Sequence, residues 1–529
     1  MYDKQVAFRL ASALALTVLI IAGGVQAQEF SLWGGLETGP YGVGFETIEK
    51  YDYSRAFRSS TDYFGEPQEG ETARPIQICI WYPAQKTDGQ IPMVYGEYAF
   101  PYPNNSDFFG VISTLQNREI QAVGFVFRGD QAALQSVMDL SVTAVRDAPH
   151  QDGEFPLIVY HTGIVSGYCQ NATMCEYLAS HGFIVATTHA LGTNGVNVMP
   201  EPRDIESLIR DKEFAVAQLR DYPWLNHSST GLLGYSVGAV GALVHRMRNA
   251  DIDAVACMGG NYLTTDGAAL VAENPSYNAV TMHVPLLQLY TAGEDTDLAL
   301  MDSLVYSSRH LVAFSNPNVA AFSHYAVMST LRPDTAGPDP QTLRRNYETS
   351  CRYVEQFFKA YLKSDEASLA LLNAGPGDGA TSEFRAAQPY PPTAGQFIQI
   401  IRNYGIERVI ELDKQFGLSN PEHPILSGPR FTALGYGFLQ SGRTDAAIEI
   451  FRMGAEAYPT SANAWDSYGE AHATNGDLKL AVECYKKALE ILPLDENINP
   501  GLRDLIAANA PAIIEQLEQR IADEAGPGQ

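Results

Sequence analysis

The chain has 529 residues, 45% apolar and 18% charged, which is the composition of a folded protein long enough for two or more domains. Asp and Glu number 61 against 35 Lys and Arg, a formal charge of -26 with a pI near 4.7. A field of that sign repels phosphate backbones and anionic membrane surfaces, and six cysteines are too few for a disulfide scaffold.

Residues 1–27 read as a secretory signal. Lys4 and Arg9 supply the positive start, residues 10–24 an apolar run, and Val25-Gln26-Ala27 a small-residue cleavage site. The run is shorter than the roughly 20 residues a bilayer span needs. The expected product is therefore secreted or periplasmic, with no integral membrane segment after cleavage and no affinity for nucleic acid. In an oxidising compartment Cys169 and Cys175 are either a local disulfide or two buried small side chains.

Within a first domain expected over 28–372, strand-like and helix-like runs alternate from about residue 74 to 325. Residues 76–82, 155–160, 183–188, 231–234, 254–258, 285–291 and 310–314 are short and mostly apolar, as strands buried on both faces of a parallel sheet must be. Between them, residues 205–219 and 237–248 have helical length. This alternation predicts an α/β fold with a doubly wound, mostly parallel sheet. Residues 88–150 break the rhythm and read as an insertion, with a helix expected over 131–145, that would serve as a lid over one edge of a site. Residues 373–394, rich in Gly and Pro with little periodicity, read as a linker.

Residues 395–529 are helical and repetitive. Gly442 and Gly476, Ala447 and Ala481, and Pro459 and Pro493 each lie 34 apart. That period belongs to tetratricopeptide repeats, in which small residues let two antiparallel helices approach closely. An all-α repeat domain follows, with helices over 395–415 and 502–522 expected to cap it and its surface available to a protein partner.

The chemistry lies in the first part. Gly234-Tyr235-Ser236-Val237-Gly238 has the G-x-S-x-G form, follows the short strand 230–233 and opens a helix. Glycines on both sides of a serine permit a strand-to-helix turn sharp enough to lift the hydroxyl above the sheet, so Ser236 is the candidate nucleophile. A serine hydroxyl needs a base. His245 lies inside the following helix, His423 and His472 lie in the repeats, and His283 and His310 border strands. This leaves His324, on the loop after the last strand. The acid that orients it is expected after the strand ending near residue 291, where Gly293-Glu294-Asp295-Thr296-Asp297 offers Asp295 first, then Asp297 and Glu294. Two backbone N–H donors are needed for the oxyanion. Val237 supplies one and Ile164, beyond His161-Thr162-Gly163, the other. His161 itself reads as a positioning residue of that loop. The sequence lacks His-Glu-x-x-His, Cys-x-x-Cys and a helix-opening Gly-x-Gly-x-x-Gly, so neither metal nor cofactor is expected.

Residues 153–160, residues 177–186, the Ser236 turn and the His324 loop together resemble α/β-hydrolases of the platelet-activating-factor acetylhydrolase and dienelactone hydrolase type. The resemblance implies a Ser/His/Asp esterase acting on a small-molecule ester or lipid substrate. Two positions depart from the pattern: His161-Thr162-Gly163 stands where such enzymes read Ser-His-Gly, and Gly259-Gly260-Asn261 stands where the acetylhydrolase carries its acid. Two alternatives stay open: an acyltransferase using the same triad, and a periplasmic interaction protein with a vestigial hydrolase domain.

Overall fold

The computed structural model describes residues 30–388, except 58, 63, 68–71, 100–105, 164–166, 194–197, 260–261, 294, 316–321, 332–338 and 378. It also describes residues 408, 411–412 and 427–525. The expected signal at 1–27 lies outside the described residues. The chain divides into two compact units, residues 1–388 and 389–529.

The first unit is built on one ten-stranded sheet: β1 (Gly42–Ala56), β2 (Ala73–Ala84), β3 (Ala144–Arg146), β4 (Phe155–His161), β5 (Ile184–Thr188), β6 (Leu225–Tyr235), β7 (Ala254–Met258), β8 (Leu286–Thr291), β9 (Arg309–Phe314) and β10 (Ala380–Arg385). Their spatial order is β10-β9-β8-β7-β6-β4-β5-β2-β1-β3. The six strands from β5 to β9 in that order are mutually parallel, and β1, β2 and β10 add antiparallel pairs outside them. The chain leaves β4 first toward β5 and then returns to β6 on its other side. That reversal opens a crevice beyond the carboxyl ends of these strands, where α/β folds of this kind place their sites.

Both faces of the sheet are covered, so the inner strands are apolar throughout, yet successive side chains still go to opposite layers. Along β2, Cys79 and Trp81 enter one core while Ile76, Ile78, Ile80 and Tyr82 enter the other; along β4, Ile158 and Tyr160 separate likewise from Leu157 and Val159. Helices α3 (Ala172–Ser180) and α7 (Pro340–Leu362) belong to the first layer, and α4 (Pro202–Gln218), α5 (Val237–Arg248) and α6 (Thr265–Ala272) to the second.

The insertion contributes α1 (Ser106–Val126), α2 (Gln131–Met138) and β3. The helix expected over 131–145 stops at Met138. Asp130 caps its start by accepting from the Ala132 and Ala133 amides, and the β-branched residues beyond Leu140 continue as extended chain, ending in β3 against β1. The stretch read as a linker is also partly structured. Residues 380–385 form β10 on the edge beside β9, and α8 (Glu366–Ala374) precedes it. Cys169 and Cys175 are both free and buried, with the Cys169 thiol donating to the Tyr98 carbonyl at 3.4 Å. No disulfide joins them.

The second unit is helical: α9 (Gly428–Gln440), α10 (Thr444–Ala457), α11 (Ala462–Asn475), α12 (Leu478–Ile491) and α13 (Pro500–Ala525). The 34-residue period appears directly in the packing. A Cβ on Gly435 would fall 2.4 Å from the Phe451 ring, and one on Gly469 would fall 3.2 Å from the Tyr485 ring. Both members of the second pair lie 34 residues beyond those of the first. Each glycine admits the aromatic side chain of the antiparallel partner helix. Helix α13 caps the array with Ile506, Ala510, Ile514 and Leu517 against Leu478, Val482 and Tyr485. The other expected cap, 395–415, lies outside the described residues apart from 408, 411 and 412. Among the described residues no helix is long and apolar enough to cross a membrane.

Candidate active site

Ser236 links the end of β6 to the first turn of α5 with φ +55° and ψ -125°. A serine pays for a positive φ in strain, and such strain persists only where neighbouring structure enforces it. Here the Ser236 amide donates to the Met258 carbonyl of β7 at 2.9 Å, and its own carbonyl accepts from the Ala239 amide at 3.0 Å. The flanking glycines are required by space. A Cβ on Gly234 would stand 2.5 Å from the Ala239 Cα, and one on Gly238 would stand 2.2 Å from the His161 carbonyl oxygen. Ser236 is partly exposed and Val237, whose amide opens α5, is buried. The helix N-terminus thus faces the crevice beside the hydroxyl. Ile164 lies outside the described residues.

His161 is anchored from below. Its Nε2 lies 2.9 Å from Nδ1 of His245 on α5, and both rings are buried. Burial pushes both imidazoles below their ordinary range, His245 to about 4, so the pair is neutral and one ring donates while the other accepts. The link ties the end of β4 to the helix that carries the serine turn, which is a positioning role.

His324 is fully buried on the loop after β9. Its amide donates to the Gln170 carbonyl at 3.1 Å, Nδ1 lies 3.2 Å from the Thr173 hydroxyl, and Nε2 lies 3.2 Å from the Tyr95 hydroxyl. Tyr95 comes from the insertion, packs edge-on against the imidazole and donates to Glu119 Oε1 at 2.5 Å; Tyr325 donates to the same oxygen at 3.0 Å. Burial pushes the His324 ring down to about 3 and the Tyr95 hydroxyl well up, so both are neutral near pH 7.

The acid candidates stand elsewhere. Asp295 follows β8 with its side chain exposed, and Asp297 accepts from the Ala299 amide at 2.8 Å. Glu294 lies outside the described residues. The parallel register aligns Tyr235 with Met258, Met258 with Leu289 and Leu289 with Val312, so the loops bearing Ser236, Asp295 and His324 leave one edge of the sheet. Within the described residues neither Asp295 nor Asp297 is a polar partner of His324. The groups that do touch it, Tyr95 and Thr173, and the buried Glu119 behind Tyr95, were not singled out from the sequence. The one available clue is that Glu119 shares a helical stripe with Val123 and Phe127, four and eight residues on, where a carboxylate must be buried.

Residues 36–191 match the family model of platelet-activating factor acetylhydrolase, isoform II, and residues 462–493 match that of a tetratricopeptide repeat. A search of curated proteins finds no match. Among solved structures, a ferulic acid esterase from Streptomyces cinnamoneus is similar with a TM-score of 0.45 and 16% identity, over 63% of this chain and 93% of that one. The first unit is thus similar to the acetylhydrolase family over residues 36–191, and the second to a tetratricopeptide repeat over residues 462–493.

Proposed function

We propose that this protein is a secreted or periplasmic serine hydrolase that cleaves carboxylic esters, short-acyl or lipid-like, through an acyl-Ser236 intermediate. The observation that carries the reading is the serine held at positive φ between two glycines that tolerate no side chain, at the carboxyl edge of a parallel sheet. In the proposed reaction Ser236 Oγ bonds to the ester carbonyl carbon as its proton passes to His324. The tetrahedral oxyanion is met by the amides of Val237 and Ile164, each contributing on the order of 3 kcal/mol. Collapse breaks the bond to the alkoxide, which leaves as an alcohol with the proton from His324. Water then repeats the sequence and frees the serine. Chain order assigns the acid to Asp295, with Asp297 and Glu294 beside it, while the contacts of His324 lead to a different carboxylate, Glu119.

Tyr95 reaches His324 from the insertion, which supports a lid role for residues 88–150. The match to a tetratricopeptide model supports a protein partner at the helical unit. Rapid mixing with p-nitrophenyl acetate tests the chemistry. A burst of one p-nitrophenol per chain, with acetyl mass on the peptide containing Ser236, is expected. Linear release without a burst, and no acylated peptide at any time, counts against an acyl-serine.

A further inference from the structure

We infer that Glu119, acting through the Tyr95 hydroxyl, is the carboxylate that orients His324, so that the insertion completes the machinery of the hydrolase unit. The inference rests on the proposed role of His324 as base and specifies which group supports it. An imidazole can serve as a base only if its other nitrogen is held in one tautomer and if the positive charge it acquires is compensated.

The hydrogen bonds fix the direction of each proton. Glu119 Oε1 receives both Tyr95 and Tyr325, and a carboxylate oxygen receiving two hydroxyls is an acceptor. Tyr95 has spent its only proton on Glu119, so its oxygen can only accept from His324 at 3.2 Å. Nε2 therefore carries the hydrogen and Nδ1 the lone pair, which receives the Thr173 hydroxyl at 3.2 Å. For Nδ1 to accept the serine proton, its bond to the Thr173 hydroxyl must give way to Ser236. When Nδ1 takes a proton, the new charge sits one tyrosine away from the buried Glu119. The path Glu119–Tyr95–His324 is buried throughout: Glu119 is 1% exposed, and Tyr95 and His324 are 0%. Asp295, by contrast, is solvated.

The two residues of the relay come from the insertion and the base from the loop after β9, 229 positions beyond Tyr95. Three structural groups besides the base converge here: the Cys169 thiol, Tyr325 and Thr173, and burial keeps the Cys169 thiol protonated.

The test compares full-length wild type, Tyr95→Phe, Glu119→Gln, Glu119→Asp and Ser236→Ala on p-nitrophenyl acetate, with nitrogen-15 spectra of the histidine rings. Tyr95→Phe and Glu119→Gln are each expected to lower kcat by 10-fold or more with KM within 3-fold. Combined, they should cost little more than either alone, and both should change the tautomer signature of one histidine ring. Glu119→Asp is expected to restore part of the kcat lost in Glu119→Gln. Folded Tyr95→Phe with wild-type kcat and unchanged ring signals overturns the relay. If the variants fail to fold, Thr173→Val, which leaves the relay intact and removes only the donor to Nδ1, provides the second reading. A His324 ring signal that stays Nε2-protonated supports the relay, and one that switches to Nδ1-protonated overturns it. Ser236→Ala separates the two readings, because hydrolysis that survives loss of Ser236 defeats the proposed function whatever the relay variants do.

Discussion

Gly238 lies so close under His161 that a Cβ on it would stand 2.2 Å from the His161 carbonyl oxygen, so the serine turn and the end of β4 pack backbone to backbone. This contact holds the serine turn against the end of β4.

Gly238→Ala is therefore expected to destabilise by about 1–3 kcal/mol, since one segment must move, and to lower fluorophosphonate labelling of the fraction that stays folded. Gly437→Ala is the matched control. It lies inside α9 with nothing within 4 Å of the added carbon, and is expected to stabilise by about 0.5–1 kcal/mol. Urea denaturation followed by circular dichroism reads both.

A buried ion pair ties the antiparallel edge to α4. Arg74 donates through Nε and Nη2 to the two carboxylate oxygens of Asp211, both at 2.7 Å, and Arg55 adds a third bond at 2.8 Å. Asp211→Ala should cost about 3–5 kcal/mol, because it leaves the Arg74 guanidinium buried without its counter-charge. The double variant Arg74→Met, Asp211→Leu should be milder than Asp211→Ala alone. A double variant less stable than the single one would contradict that account.

Acid sensitivity follows from the histidines. Burial holds His324 and His189 down to about 3 and His245 to about 4, with His161 also well below its ordinary range. The unfolded chain binds those protons near pH 6.5, the folded chain only below the depressed values, so between the two the unfolded state carries more protons. Stability is therefore expected to be full above about pH 6.5 and to fall as pH drops toward 3, by up to about 1.4 kcal/mol per pH unit for each such ring. Melting curves from pH 7.5 to 4 check the sign; a melting temperature that rises on acidification contradicts it.

Glu176 pins the insertion to α3. Its oxygens accept from Trp33 Nε1 and Tyr98 at 2.7 Å and from the Ala144 and Thr143 amides at 3.2 and 3.3 Å. Glu176→Ala should strand these buried donors at about 1–3 kcal/mol each for those that find no water. Limited proteolysis should then cut first within residues 88–150, whereas cleavage spread evenly over the unit would argue against the pin.

The inner sheet was legible because burial on both faces leaves strands no polar alternation, and all seven apolar runs correspond to strands. Strand β1 escaped because Glu46, Thr47 and Glu49 interrupt it, as an antiparallel strand near the edge allows. Strand β10 escaped because its side chains are largely exposed. The strained turn at Ser236 was readable because it dictates glycines at fixed offsets. The contacts of His324 with Tyr95, and of Tyr95 with Glu119, obey no spacing rule: they arrive by tertiary packing of an insertion.

The central claim is that Ser236 is the nucleophile. The most direct measurement compares wild type with Ser236→Ala from Gln28 onward, following fluorophosphonate labelling and p-nitrophenol release from acetyl, butyryl and octanoyl esters. The account predicts that the folded variant loses both labelling and turnover while wild type shows both. A folded wild type that neither labels nor hydrolyses any of the three esters, or a variant that keeps its rate, would contradict it.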